Sequence, residues 1–357
     1  MTSQLSERLG PQRLGPREVR RLCVEVQRGP SAGRAASPRL SSVVCVGHSR
    51  GVDLQLKEPG VAPFHVELRA EEGGVLVGDL GSERGTWLAV QGSSVRLDRG
   101  LVPYGTTLRV GDDELVATPL EDASLPAEEL PTLPPELVVR SQALREAISV
   151  LSRLAVGRAP VLLSGERGVG KRCLTRALFA PAPFLEVACA GSARAVMSRL
   201  FGHAVGAFRA ATEAAPGALD EGGVVYLSGV EKLPPEAQSA LARALREQRY
   251  APLGGGEPRP LTARLVAATD TDLRPLVNQG SFSDDLYCRL AGAHVRLPPL
   301  RERLAELPEL VRVFEARAGM SPGTLGSGWI TRVSRARFDE NLRELERLVR
   351  DGLGQFD

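Results

Sequence analysis

Gly165-Glu166-Arg167-Gly168-Val169-Gly170-Lys171 is the stretch on which the reading of this 357-residue chain turns. It fits the pattern G-x-x-x-x-G-K. It follows a short apolar run (APVLLS, 159–164) and opens a segment of helical character (GKRCLTRALFA, 170–180). A glycine-rich turn between a strand and a helix lets backbone N–H groups point inward, and the helix start adds positive potential. A lysine at the end of that turn can reach the β- and γ-phosphates of a nucleotide. Only Lys57, Lys171 and Lys232 are lysines among 45 basic residues, so one of three stands where this chemistry needs it. The candidate nucleotide-binding set is Gly165, Glu166, Arg167, Gly168, Val169, Gly170, Lys171 and Arg172. The residue after the lysine is ordinarily Ser or Thr, whose hydroxyl touches magnesium; here it is Arg172, so metal would depend more on an acid at the end of a later strand, and without one magnesium binding is expected to be weak or absent.

Outward from this loop, strands and helices alternate. SQALREAISVLSRLA (141–155) carries Leu144, Ile148, Leu151 and Leu154 at helical spacing. GGVVYLSG (222–229) and TARLVAATD (262–270) read as buried strands, and PPEAQSALARALREQ (234–248) as an amphipathic helix opened by proline. Such alternation predicts an α/β domain with a mostly parallel sheet over 137–300, followed by helical patterns only over 301–357. Residues 20–118 differ. Short apolar runs (LCVEVQ, SSVVCVG, HVELRA, VLVGDL, TWLAVQ, TLRVG, ELVATP) are separated by Gly, Pro and Asp, as in an all-β sandwich. Residues 1–19 read as a loose tail, and the proline- and acid-rich 119–136 as a linker.

Composition excludes several classes. Hydrophobic residues at 43% and charged residues at 25% suit a globular, multidomain protein. No run of about 18 apolar residues is present, which argues against a membrane helix. Forty-five basic against 43 acidic residues leave +2, no nucleic-acid footprint. Cys23, Cys45, Cys173, Cys189 and Cys288 are odd in number and lack C-x-x-C spacing, so neither a disulfide framework nor a metal site is expected. Without a secretory h-region, the expected location is cytoplasmic.

Six segments in order (GERGVGK 165–171, LFGHAVGAF 200–208, ARLVAATD 263–270, DLYCRL 285–290, LPPLRER 297–303, LRELE 342–346) resemble the AAA+ domain of bacterial sigma-54-dependent activators. Residues 43–116, through Val46-Gly47, His65, Asp79-Leu-Gly-Ser82, Gly85-Thr86 and Gly111-Asp112, resemble a forkhead-associated (FHA) domain. The resemblance implies an FHA-like β-sandwich, an α/β P-loop domain and a small helical lid. It implies ATP or ADP as ligand, Arg343 as a lid contact to nucleotide, and Arg289 as a finger offered to a neighbouring subunit of a ring oligomer. It also implies a sigma-contacting loop at Gly206, Ala207, Phe208, Arg209, Ala210 and Ala211, and an FHA pocket at His48, Arg50, His65, Ser82 and Arg84.

The departures weigh against turnover. The strand that ends in Asp-Glu in the family reads Leu227-Ser228-Gly229, so the magnesium and water-activating carboxylates are missing. Glu231, two residues on, is expected to point elsewhere. The coupling Asn is Ala188, the sensor Asn is Asp270, and the first finger is Ser283. The family's GAFTGA loop reads Gly206-Ala-Phe-Arg-Ala-Ala211. In the FHA part, the phosphate-binding Arg is His48, the phosphate-binding Ser is Ala62, and the peptide-holding Asn is Arg84, so phosphopeptide binding is expected to be lost unless Arg50 or Arg84 compensates. His203 and His294 are expected to be structural. The expected function is a regulator that binds ATP or ADP, hydrolyses it poorly or not at all, and acts through homologous AAA+ subunits or sigma-54 RNA polymerase. The alternatives are a working sigma-54 activator and an FHA-based phosphopeptide adaptor. No DNA-binding helix-turn-helix is visible before Asp357.

Overall fold

The computed structural model describes residues 13–14, 17–38, 42–90, 93–125, 128–131, 133–134 and 136–352. The chain forms two compact units: Gly15–Ala127 with Asp272–Arg289, and Glu128–Thr271 with Leu290–Asp357 and Met1–Leu14.

The first unit is a β-sandwich. One sheet orders Arg99–Val102, Gly74–Asp79, Val66–Glu71, Val43–Gly47 and Leu54–Gln55; the other orders Ala35–Ala36, Arg17–Arg28, Asp113–Leu125, Thr107–Val110, Thr86–Val90 and Ser93–Arg96. Alternation sets the faces. Along Val66–Glu71, Val66, Leu68 and Ala70 are buried while Glu67, Arg69 and Glu71 are not. The inward residues, among them Leu22, Val24, Val46, Val77 and Leu115, form one core.

Two expectations fail here. The strand Asp113–Leu125 continues past the proposed linker boundary, with Pro119 opposite Leu22 and Leu125 opposite Arg17. Its partner begins at Arg17, inside the proposed tail. Backbone pairing needs no apolar side chain, so a polar, proline-bearing segment can still form a ladder when a partner strand lies alongside. A register shift between Leu120 and Ala123 interrupts the ladder just beyond Pro119, which has no N–H to give.

Nor is 137–300 one body. Asp272–Arg289 packs with the sandwich. Asn278 Nδ2 donates to the carbonyls of Phe64 (2.6 Å) and Leu80 (2.9 Å), and its Oδ1 accepts from Phe64 N at 2.9 Å. Ser49 Oγ donates to Asp284 Oδ1 at 2.7 Å, Arg274 pairs with Glu67 at 2.6 Å, and the Phe64 and Tyr287 rings meet edge-on at 4.7 Å.

The second unit holds a five-stranded, all-parallel sheet ordered Phe184–Ala188, Val224–Ser228, Arg264–Thr269, Val161–Ser164, His294–Arg296. Val161, Leu162 and Leu163 are buried in succession, as a central parallel strand requires. Gln142–Val156 packs its Leu144, Ile148 and Leu151 onto this core, and Ser141 caps its first turn. Three helices after Leu300 (Leu307–Arg317, Ser327–Val333, Leu342–Asp351) close around Phe314, Trp329 and Phe338.

Candidate functional site

The glycine-rich loop leaves the C-terminal end of the interior Val161–Ser164 strand and enters the Lys171–Leu178 helix through Gly170, whose φ of 103° no L side chain adopts easily. Gly168 (φ 80°) has a second constraint: a Cβ there would lie 2.0 Å from the Glu340 carbonyl oxygen. The loop is therefore gripped from outside. Leu342 N donates to Gly168 O at 3.1 Å. Asn341 Nδ2 donates to Arg167 O at 2.9 Å and to Glu166 Oε2 at 3.2 Å, while its Oδ1 accepts from Leu300 N at 2.7 Å. Arg301 forks onto both Glu166 oxygens at 2.6 and 2.8 Å, and that bond holds the Glu166 carboxyl below its usual range. The buried Arg303 donates to Val169 O at 2.7 Å and pairs with the fully buried Glu306 at 3.3 Å. Glu306 in turn accepts from Ser141 Oγ at 3.0 Å. Burial pulls the Arg303 guanidinium down.

Lys171 is only 8% exposed. Its Nζ donates to Gly165 O (2.6 Å), Glu166 O (3.0 Å) and Asp270 Oδ1 (2.6 Å). Arg172 turns to Glu186, 2.7 Å away. The stem of Arg343 runs beside Gly168, its Cγ 3.5 Å from where a Cβ would sit. Next to Gly170 an apolar cleft is lined by Val139, Leu144, Cys173, Leu174, Phe314 and Leu342. A glycine-rich loop between strand and helix, a lysine folded against it and an apolar cleft beside it fit a purine nucleotide. Gly165–Lys171 would hold its phosphates and Arg343 would approach them from the lid.

The carboxylate positions stay empty of acid. Ser228 ends its strand opposite Ala188 and Ala268, and Gly229 follows in the left-handed region (φ 70°). Glu231 lies in the next turn with its side chain 10% exposed and, among the described residues, no hydrogen-bond partner for its Oε2. It faces Cys189, whose thiol is pushed up to about 12 by burial and then by Glu231.

The other expected sites divide. In the loop, Phe208 packs on His203 (4.9 Å between rings) under Arg194, and His203 Nδ1 meets Ser198 Oγ at 2.8 Å. Gly206 N donates to Ala211 O at 2.8 Å, closing a tight turn that leaves Arg209 and Ala210 exposed. Arg289 pairs with Asp285 within its own helix at 2.8 Å. In the sandwich, the expected pocket residues are mostly bound internally. Asp79 accepts from Ser82 N, Ser82 Oγ and Thr86 Oγ1 at 2.7–2.8 Å, so the Asp79–Thr86 motif is a self-bonded turn. His65 is fully buried, held between Ala62 N and the Gly85 carbonyl, and burial pulls its pKa down. His48 Nδ1 contacts the Val61 carbonyl, and Arg84 pairs with the buried Glu58 at 2.6 Å. Arg50 is exposed.

Among described residues, no helix is long and apolar enough to cross a membrane. Residues 137–296 match the sigma-54 interaction domain and residues 44–111 the FHA domain. The DNA-binding transcriptional regulator NtrC of a Bradyrhizobium strain is 40% identical over 66% of this chain and 51% of its own length. A Nif-specific regulatory protein of Rhodobacter capsulatus is 35% identical over 60% of this chain and 39% of its own. The chain thus spans about half, or less, of the curated relatives it matches. Crystal structures of NtrX from Brucella abortus, including complexes with ADP and ATP, superpose at TM-scores of 0.54–0.55 with 27% identity. They cover 60–61% of this chain, which in turn covers 49–51% of each of them. The chain joins an FHA domain to the sigma-54 interaction domain found in sigma-54-dependent activators.

Proposed function

We propose that this chain is a sigma-54-activator-like regulator that binds ATP or ADP, hydrolyses it very slowly or not at all, and works through protein contacts. One observation carries the reading: the glycine-rich loop keeps its lysine, while in the same sheet the strand that would supply the acids ends in Ser228, followed by Gly229. Neither residue can take a proton from water near neutral pH. Nucleotide binding would come from backbone N–H groups, Lys171 and Arg343. Arg172 turned to Glu186 and Ser228 in the strand leave little for magnesium. The protein contacts would involve homologous AAA+ subunits, to which Arg289 is offered, or sigma-54 RNA polymerase through the Phe208 loop. The kinship with NtrC and Nif-specific regulators supports that choice of partners.

Calorimetric titration of the full chain with ADP and ATP, with and without magnesium, tests the binding. A Lys171→Ala variant should lose it. Phosphate release should stay at background. Turnover matching a working family ATPase, and lost with Lys171→Ala, would refute the reading. A second reading, a working activator, draws on the Asp270 carboxylate beside Lys171. It requires transcription from a sigma-54 promoter that depends on Lys171.

A further inference from the structure

The lysine of the cradle is already engaged. An ammonium has three protons to donate, and Lys171 spends them on Gly165 O, Glu166 O and Asp270 Oδ1, at 2.6, 3.0 and 2.6 Å. Two are loop carbonyls, which fold the side chain back over the turn. The third partner carries a full negative charge.

Asp270 is placed there by the sheet. Its strand, Arg264–Thr269, lies next to Val161–Ser164 with Thr269 opposite Ser164. The chain therefore leaves the two strands side by side, into Asp270 on one and Gly165 on the other. The turn after the strand is pinned, since Thr269 Oγ1 accepts from Thr271 N at 3.2 Å and donates to Thr271 O at 2.9 Å. Lys171 is 8% exposed and Asp270 38%, so the pair is half-sheltered from solvent screening.

We propose that Asp270 is an internal anion, holding the place at Lys171 that a terminal phosphate would otherwise take. The cradle then selects a nucleoside diphosphate over a triphosphate. A γ-phosphate would have to break the Lys171–Asp270 pair and then sit beside a like charge with no acid-bound metal to offset it. A diphosphate can take the loop N–H groups and a Lys171 proton now given to a loop carbonyl, and leave the Lys171–Asp270 bond in place. This selectivity rests on the nucleotide-binding reading above; the Lys171–Asp270 pairing itself does not.

The test is the ratio of ATP to ADP affinity, measured by calorimetry on the full chain in EDTA and again with magnesium. The proteins are wild type, Asp270→Asn, Asp270→Ser as a second neutral variant, and Lys171→Ala. Thermal melts confirm that each folds. The wild type should favour ADP. Both neutral variants should tighten ATP by at least about tenfold, and ADP by much less, as expected for removal of a like charge at close range. An unchanged ratio overturns the proposal. So does weaker ATP binding in the neutral variants, which would make Asp270 a ligand of the metal–nucleotide complex. A wild type that binds neither nucleotide, with neutral variants that bind both, would keep the internal anion and refute the nucleotide-binding reading. A wild type and neutral variants that all fold yet bind nothing would overturn both.

Discussion

Replacing Arg303 with methionine should loosen the nucleotide loop from behind. Arg303 is 3% exposed and Glu306 fully buried, so each is the other's counter-charge in a region water does not reach. Removing one partner of such a pair costs about 3–5 kcal/mol, because the other charge is left buried and alone. The same change deletes the 2.7 Å bond to the Val169 carbonyl, inside the loop itself. For a unit of about 150–250 residues each kcal/mol moves the melting point by about 2–4 °C. The expected drop is therefore roughly 6–20 °C, with weaker ADP binding. Glu306→Gln alone should also be costly, since it strands the guanidinium. Combined with Arg303→Met it should restore much of the loss, because the amide still accepts from Ser141 while no charge is left unpaired. Chemical denaturation of the four proteins gives the coupling energy. A value under about 0.5 kcal/mol, the range of independent sites, would refute the idea that these two residues act as one unit behind the loop.

Asn278→Ala deletes three bonds to the Phe64 and Leu80 backbone. Amide exchange over 272–289 should rise, consistent with about 1–3 kcal/mol for each buried group left unmade; unchanged protection there would count against the described packing. Cys173 is exposed while the Cys189 thiol is held up to about 12. At pH 8 iodoacetamide should label Cys173 well before Cys189, with Cys189 gaining reactivity only as pH approaches 12; equal rates by mass spectrometry would contradict this. A phosphothreonine peptide library should bind no better than its unphosphorylated control, because His65, Ser82 and Arg84 are bonded within the sandwich; a phosphate-dependent signal lost in Arg50→Ala would reverse that expectation.

The loop, its strand and its helix are legible because the signal is local: glycines at positive φ and a lysine within seven residues. The parallel strands are legible for the same reason, as apolar runs bounded by breakers. The collar around the loop is not. Glu166 meets Arg301, Arg167 meets Asn341 and Val169 meets Arg303 across more than 130 residues, and no periodicity records such pairings. The strand through Pro119 is hidden likewise, since its composition reads as linker and only its partner makes it a strand. The Asp79–Thr86 turn is distinctive enough to mark the FHA domain from sequence, and its carboxylate accepts from the N–H and hydroxyl of Ser82 and the hydroxyl of Thr86 within the same turn.

Asp270 links the missing acids to the surviving lysine. A lysine 8% exposed needs a counter-charge, whatever else the pocket does. The family pattern supplies acids at the positions of Ser228 and Gly229 and an amide at that of Asp270; this chain has no acid at the first two and a carboxylate at the third. The carboxylate that balances Lys171 stands at the end of the strand next to the one that ends at Ser228. That placement does not conserve the chemistry. The acid now lies against the lysine rather than beside a place for metal, so the arrangement that keeps Lys171 neutralised is also the one that sets the cradle against a third phosphate.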